Sequence, residues 1–74
     1  GEIRVAEAST VAGKTIETSR IRQDCGAVIL AIKREKKMDF NPSPEDRIEP
    51  GDYLIAMGDS LQLRQLERMA AARP

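Results

Sequence analysis

The fold is decided by GAVILAIKREKKMDFNPSPEDRIEPGDYLIAMG, residues 26–58. Residues 27–33 are apolar at nearly every position, which predicts a central strand covered on both faces. Residues 38–40 alternate between apolar and polar side chains, as a hairpin partner would. A second apolar run at residues 53–57, ended by Gly58, should lie beside the first. The stretch therefore predicts three strands of one sheet.

The segments between these strands have the composition of turns. Residues 34–37, Arg-Glu-Lys-Lys, predict an exposed hairpin turn. The two prolines of residues 41–44, Asn-Pro-Ser-Pro, lack an N–H group, so the chain should leave the sheet edge there. Pro50-Gly51 is typical of a type II turn, and we expect Asp52 to accept backbone N–H groups at this turn.

Outward from this stretch, residues 2–11 alternate in a way that predicts a first strand. Gly13 ends it, and Thr15 is suited to cap a helix over residues 16–25. Gly26 then fits the left-handed position that ends a helix.

The C-terminal segment predicts an amphipathic helix. Asp59 with Gln62 three residues later resembles a capping box. The helix should cover one face of the sheet with an apolar stripe of Leu61, Leu63, Leu66, Met69 and Ala70. Its polar side should carry Arg64, Gln65, Glu67, Arg68 and Arg73.

The element order is β-α-β-β-β-α, an α+β fold with a small, mainly antiparallel sheet and two helices. Simple alternation places Val28, Leu30 and Ile32 on one face of the central strand and Ile29 and Ala31 on the other. If the helices cover one face only, a second copy of the chain is the economical cover for the other.

Composition excludes several functions. The chain has 74 residues, enough for one small domain over residues 1–74, and a start at Gly1 suggests a fragment of a longer protein. Twelve Lys and Arg balance twelve Asp and Glu, which does not favour nucleic acid. The apolar runs are too short to enter a membrane, so we expect a soluble domain. Without histidine, and with Cys25 alone, we predict no enzyme, no metal site and a reducing compartment.

The order of these segments resembles the C-terminal lobe of RCK domains, the regulators of K⁺ conductance, also called TrkA-C domains. The resemblance runs from Ala-Gly-Lys-Thr at residues 12–15 to the Leu-rich helix. It implies a homodimeric, cytoplasmic regulatory domain attached to the membrane-embedded part of a K⁺ channel or transporter. The Ala-Ile-Lys-Arg and Asn-Pro-Ser-Pro segments are most similar to bacterial K⁺ channel subunits. No Gly-x-Gly-x-x-Gly fingerprint is present, so no NAD or ATP site is expected in this chain.

The resemblance also implies a ligand site, because some members bind cyclic di-AMP between two such lobes. The matching positions here are Ile16, Ile21, Arg22 and Pro44. Arginine suits a phosphodiester because its guanidinium donates paired hydrogen bonds. Asp24 and Val28 depart from the pattern, which has an aromatic residue and an asparagine there.

Other interpretations use the same residues differently. Arg22 could instead cap carbonyls at a helix end. Carboxylates could bind Ca²⁺ as loop ligands, the candidates being Asp39, Glu45, Asp46, Glu49 and Asp52. The alternative function is a purely structural dimerisation or protein-interaction module that binds no ligand.

Overall fold

A four-stranded antiparallel sheet, with helices packed on one face, organises the computed structural model, which describes residues 1–72. The strands are β1 (Glu2–Arg4), β2 (Val28–Arg34), β3 (Lys37–Phe40) and β4 (Tyr53–Met57). The helices are α1 (Ile16–Ser19), α2 (Ile21–Cys25) and α3 (Ser60–Ala70). The strand order is β1-β4-β2-β3, which confirms the predicted α+β fold and the pairing of the two apolar runs.

The core lies between the sheet and the helices. Ile32 of β2 pairs with Leu54 of β4, which in turn pairs with Ile3 of β1, so these three side chains share one face. Ile21 of α2 and Leu66 of α3 belong to the same buried cluster. Loop residues complete it, namely Val5, Val11 and Ile48, all at most 1% exposed. This small cluster is the apolar burial on which the folded chain depends.

The first strand is shorter than predicted. Val5 donates its N–H to the Asp52 carbonyl at 2.8 Å, and from Ala6 the chain turns towards the end of α3. Ala6 N–H donates to the Ala70 carbonyl at 2.8 Å, and the Ser9 hydroxyl donates to the Met69 carbonyl at 2.6 Å. The prediction of a strand over residues 2–11 was therefore wrong beyond Arg4, because Ala6 and Ser9 hydrogen-bond to the end of α3 instead.

The first helix is divided in two. Arg20 has a left-handed φ of 60°, which separates α1 from α2 inside the predicted helix 16–25. The ends are as predicted: Thr15 caps α1 through a reciprocal capping box with Thr18, and Gly26 ends α2 at φ 83°. The prediction of one continuous helix over residues 16–25 was wrong only at Arg20.

A β-bulge changes which residues of β2 face the core. Ile29 and Ala31 pair with successive residues of β4, so Leu30 is an extra residue in the strand. As a result Ile29 and Ile32, three positions apart, both pack on the core side. The predicted alternation, with Ile29 and Ala31 on one face, was wrong because simple periodicity assumes an uninterrupted ladder.

Arg34 is the last residue of β2. The prediction that it belongs to an exposed turn over residues 34–37 was therefore wrong. Its guanidinium donates through Nε and Nη2 to the two carboxylate oxygens of Asp52, both at 2.8 Å. Nη2 also donates to the Arg47 carbonyl at 3.0 Å. Asp52 is 1% exposed and accepts the Glu49 N–H at 2.8 Å, which confirms its predicted role at the turn. The pair therefore joins β2, the start of β4 and the segment between them.

The hydrogen-bonded Asp52 carboxylate raises the pKa of Arg34 above its ordinary value, against the opposing effect of burial. A raised pKa means that this contribution to stability is complete below the ordinary arginine value and is lost only as the pH rises beyond it. Arg34 therefore stays charged throughout the neutral range.

The turns follow the expected chemistry. Asp52 N–H donates to the Glu49 carbonyl at 3.1 Å across Pro50-Gly51, with Gly51 at φ 88°, which confirms the type II turn. The hairpin between β2 and β3 has two central residues, of which Glu35 has a φ of 56°.

The sheet face away from the helices, called here the outer face, is largely apolar and partly open. Cross-strand register places on it the apolar residues Val28, Ala31, Met38, Phe40, Tyr53, Ile55 and Met57, together with the charged residues Glu2, Arg4 and Lys33. Phe40 is 73% exposed and Met57 58% exposed. Within one chain the helices therefore cover only one face of the central strand.

The last helix matches its prediction with one exception. Asp59 and Gln62 form the capping box, and Leu66 and Ala70 are fully buried. Leu61 is 76% exposed and does not belong to the buried apolar stripe. Arg73 lies outside the described residues. Within residues 1–72, no helix combines the length and apolar character needed to cross a bilayer.

Replacing Asp52 by alanine should destabilise the protein by about 2–3 kcal/mol, because the Arg34 guanidinium and the Glu49 N–H would lose a charged acceptor. Urea unfolding of the purified chain measures this change. Glu45→Ala is the control. Glu45 is exposed, and within residues 1–72 its carboxylate makes no hydrogen bond or ion pair. Its removal should therefore change stability by less than about 0.5 kcal/mol. Equal unfolding midpoints for both variants would contradict the role of the pair.

Replacing Glu35 by glycine should raise stability by up to about 1 kcal/mol, because glycine removes the steric cost of a side chain at positive φ. The greater conformational entropy of glycine in the unfolded chain offsets part of this gain. Lys36→Gly is the matched control at the neighbouring turn residue, whose φ is not positive. It should lower stability by about 0.5–1 kcal/mol. Thermal unfolding of both variants tests the turn conformation, which would be wrong if the two glycines had the same effect.

Candidate ligand-binding site

A pocket of about 130 Å³ opens between the first two helices, the start of β2 and the proline-containing segment that follows β3. The residues that line it are Ile16, Ile21, Arg22, Ala27, Val28, Ile29 and Pro42. Six of these seven are apolar, and Arg22 is the charged one. The pocket can therefore hold an apolar ring with an anionic group beside it.

The break at Arg20 shapes this pocket. It allows Ile16 of α1 and Ile21 of α2 to approach the same space from two helical segments. Ser19, which is buried, ties the segments together: its hydroxyl donates to the Ile16 carbonyl at 2.6 Å and accepts the Ile21 N–H at 3.3 Å. The two isoleucines are thus held in fixed relative positions.

The proline segment is attached to the same helix by backbone hydrogen bonds. Glu17 N–H donates to the Pro44 carbonyl at 3.0 Å, and Ile16 N–H donates to the Asp46 carbonyl at 2.9 Å. At its other end, Asn41 N–H donates to the Leu30 carbonyl at 2.8 Å. The pocket wall formed by Pro42 is therefore connected to both α1 and β2.

Of the four predicted site residues, the structure brings Ile16, Ile21 and Arg22 together in the pocket. Pro44 is exposed and does not line it, whereas Pro42, two residues earlier, does. Sequence reasoning also missed Ala27 and Ile29 as lining residues. Their apolar run was a visible signal, but it had been assigned wholly to the sheet.

The electrostatics of the pocket rest on Arg22. Its side chain is exposed, and within residues 1–72 no carboxylate lies at ion-pair distance from it and no carbonyl accepts from it. Asp24, the acidic departure from the family pattern, does not line the pocket and pairs with Arg20 at 3.5 Å. The helix-capping alternative for Arg22 thus has no hydrogen bond to support it.

The carboxylates considered as Ca²⁺ ligands either make other contacts or are not grouped together. Asp52 is held by Arg34, and Asp46 accepts the Ser43 N–H at 3.0 Å. In the part of the chain that the structure describes, no three acidic, cysteine or histidine side chains group as metal ligands would.

The pocket and the outer face form one continuous surface. Val28 lines the pocket and pairs with Met57 of β4, which is exposed on the outer face. Ala31, farther along β2, is flanked by Phe40 and Ile55 on that same face. A molecule that packs on the outer face therefore also meets the rim of the pocket.

The family model of the TrkA-C domain matches residues 1–71, and the chain belongs to this family, as its sequence resemblance predicted.

Known proteins with similar sequence include potassium channel proteins. The chain is 41% identical over 61 residues to probable potassium channel protein 2 of Methanocaldococcus jannaschii, an alignment that covers 82% of this chain. It covers only 18% of the relative, so the chain corresponds to a small part of that protein.

Solved structures share the fold. The RCK_C domain dimer of S. agalactiae BusR in complex with c-di-AMP has a TM-score of 0.87 and 33% identity, over 93% of this chain and 85% of that one. The RCK C domain of the potassium transport protein KtrA in complex with c-di-AMP has a TM-score of 0.83 and 35% identity, over 92% and 78% of the two chains. BusR has also been solved with its promoter DNA, where this chain covers 34% of the BusR chain.

Proposed function

We propose that this chain is a dimerising regulatory lobe of a K⁺ channel or K⁺ transport protein, at the cytoplasmic face of the membrane. Support comes from its membership of the TrkA-C family and its similarity to a potassium channel protein. The membrane-embedded portion would belong to the parent protein. The proposal includes neither catalysis nor nucleic-acid binding, and the balanced charge of twelve basic and twelve acidic residues fits this choice.

The ligand that we propose is cyclic di-AMP. The observation that carries this proposal is the pocket in which Ile16, Ile21 and Arg22 meet. Two proteins with the same fold have been solved with this ligand, and both are more than 30% identical to this chain. The isoleucines would bury a purine ring, and the Arg22 guanidinium would donate to a phosphodiester oxygen.

The pocket of one chain is the right size for part of such a ligand. At about 130 Å³ it is close to the roughly 150 Å³ of an apolar cavity that binds benzene. A cyclic dinucleotide has two bases and two phosphates related by twofold symmetry. A symmetric dimer presents two identical pockets, one for each half of the ligand.

This arrangement supplies a regulatory mechanism. A ligand that contacts two copies at once binds the dimer and not the separate chains, so its binding energy favours one dimer geometry. The pocket wall at Pro42 is linked to α1 and β2 by backbone hydrogen bonds, so an occupied pocket would fix these elements relative to each other. A change of dimer geometry would then be passed to the ion-conducting part of the parent.

Arg22→Ala should weaken cyclic di-AMP binding by about tenfold to a hundredfold, because a charge-assisted hydrogen bond is lost. Arg22→Lys should recover only part of the affinity, since an ammonium cannot donate a paired bond. Isothermal titration calorimetry with cyclic di-AMP measures both.

Arg68→Ala, which removes an exposed arginine from α3, is the matched control and should bind like the original chain. If cyclic di-AMP produces no heat with the original chain and does not shift its melting temperature, the ligand proposal is wrong.

The outer face supports dimerisation whether or not a ligand binds, and so also favours the purely structural alternative. Phe40 and Met57 are among the most exposed apolar side chains of the chain, and they belong to one apolar surface. We propose that a second copy packs on this face.

Phe40→Glu should shift the chain towards monomer and weaken self-association at least tenfold, because a charge would be buried in the apolar interface. Sedimentation equilibrium over a range of concentrations measures the shift. Lys37→Glu places a glutamate on the opposite face of β3 and should leave association unchanged. A concentration-independent monomer in the original chain would contradict both the regulatory and the structural hypotheses.

A further inference from the structure

One residue of the pocket lining, Ile29, has backbone groups that the sheet leaves unpaired. Opposite it on β4, Ala56 donates its N–H to the Gly1 carbonyl and accepts from the Gly1 amino group, both at 2.9 Å. Both backbone groups of Ala56 are thus used on the β1 side, which makes Ile29 and Ala56 a non-hydrogen-bonded pair. The N–H and C=O of Ile29 therefore point away from β4, towards the side of β2 on which β3 lies.

The edge strand β3 does not reach these two groups. Its pairing with β2 extends only as far as Ala31, followed by one bond from the Asn41 N–H to the Leu30 carbonyl at 2.8 Å. The next residue of that segment, Pro42, has no N–H to donate and lines the pocket. Within residues 1–72, the N–H and C=O of Ile29 thus have neither a backbone nor a side-chain partner, and they open at the pocket.

Neighbouring lining residues have their backbone donors occupied. Val28 forms the adjacent hydrogen-bonded pair with Met57, and its side chain is aliphatic. Ile16 donates its N–H to a carbonyl of the proline-containing segment at 2.9 Å, and Ile21 donates to the Ser19 hydroxyl at 3.3 Å. The pocket therefore has apolar walls and, along the edge of β2, one free donor beside one free acceptor.

A donor and an acceptor on one residue match a flat ring whose edge carries an acceptor beside a donor. Adenine has such an edge, because its 6-amino group donates and the neighbouring ring nitrogen N7 accepts. N1, on the other side of the amino group, is an acceptor as well, so either side of that group offers the required pair. A buried backbone group left without a partner is costly, so a ring that fills the pocket binds well only if it satisfies both groups.

We propose that the backbone of Ile29 recognises the base in this pocket: its C=O accepts from the 6-amino group of an adenine, and its N–H donates to the adjacent ring nitrogen. The inference rests on the function proposed above, in which a ring of a cyclic dinucleotide enters the pocket. Arg22 then binds the phosphodiester, the apolar walls hold the faces of the ring, and Ile29 selects the base. The residue was not visible as a recognition element in the sequence, because an isoleucine side chain carries no polar group.

Titration calorimetry of the unaltered chain with two ligands tests the inference. One ligand is cyclic di-AMP, and the other is its analogue with purine in place of adenine, which lacks only the 6-amino groups. We expect the analogue to bind about tenfold more weakly or worse, because the Ile29 carbonyl would be buried without a donor. Equal affinities would overturn the inference and leave the cyclic-dinucleotide site intact. If cyclic di-AMP itself does not bind, the proposed ligand function is wrong and the inference falls with it, so the two failures can be told apart.

A pair of variants tests the N–H of Ile29 separately. Ile29→Pro removes this N–H and keeps the C=O, and the sheet loses no ladder bond because the group is unpaired. Ile29→Ala is the matched control, since it also shortens the side chain but keeps the N–H. We expect Ile29→Pro to bind cyclic di-AMP about tenfold more weakly than Ile29→Ala.

Equal affinities of the two variants would overturn the role of the N–H. Thermal unfolding followed by circular dichroism shows whether both variants fold. If Ile29→Pro does not, the comparison of the two ligands on the unaltered chain decides the inference.

Discussion

The ion pair between Arg34 and Asp52 is the contact on which the arrangement of the chain depends. Asp52 is buried, and its two oxygens accept from the arginine and from Glu49, while its carbonyl accepts from Val5 of the first segment. One residue therefore fixes the end of β2, the turn before β4 and the exit of β1. A buried carboxylate needs such complete pairing, because an unpaired charge in the interior is very costly.

Much of this fold is visible in the sequence because its signals are local. Thr15, Gly26 and Asp59 are found at the predicted helix ends, and Pro50-Gly51 forms the expected turn. The two long apolar runs pair with each other, as expected of strands rich in valine, isoleucine and leucine. Caps and turns depend on a few adjacent residues, so a single sequence can indicate them.

The features that sequence could not indicate depend on contacts distant in the chain. The bulge at Leu30 arises from pairing between β2 and β4. Because of it, Val28 and Ile29 each lie on the face of the sheet opposite to the one that simple alternation from Ile32 predicts. Arg20 carries no sign of a left-handed conformation, since arginine is a good helix former. The sequence placed Arg34 in a charged turn, because its partner Asp52 is 18 residues away and leaves no local signal.

In the candidate site, too, some features were indicated by the sequence and others depend on the folded chain. Ile16, Ile21 and Arg22 were found through resemblance, and the break at Arg20 explains how two isoleucines five positions apart reach one pocket. Pro42 replaces Pro44 in the lining because the segment bends back to hydrogen-bond with α1. The resemblance indicated the segment that forms this wall of the pocket, whereas the coordinates show that Pro42 lines the pocket and that Pro44 does not.

The position of β3 at the sheet edge has a consequence for the form of any assembly. An open edge can recruit strand after strand into an endless ribbon, and lysines are a common protection against this. β3 begins with Lys37 directly after Lys36, and both side chains are exposed. The proposed self-association would thereby be directed from the edge to the outer face, where contact between two copies would bury the apolar surface of each. In the dimer proposed above, the assembly would be a closed pair and not a polymer, so the shape of the chain would itself limit the number of subunits.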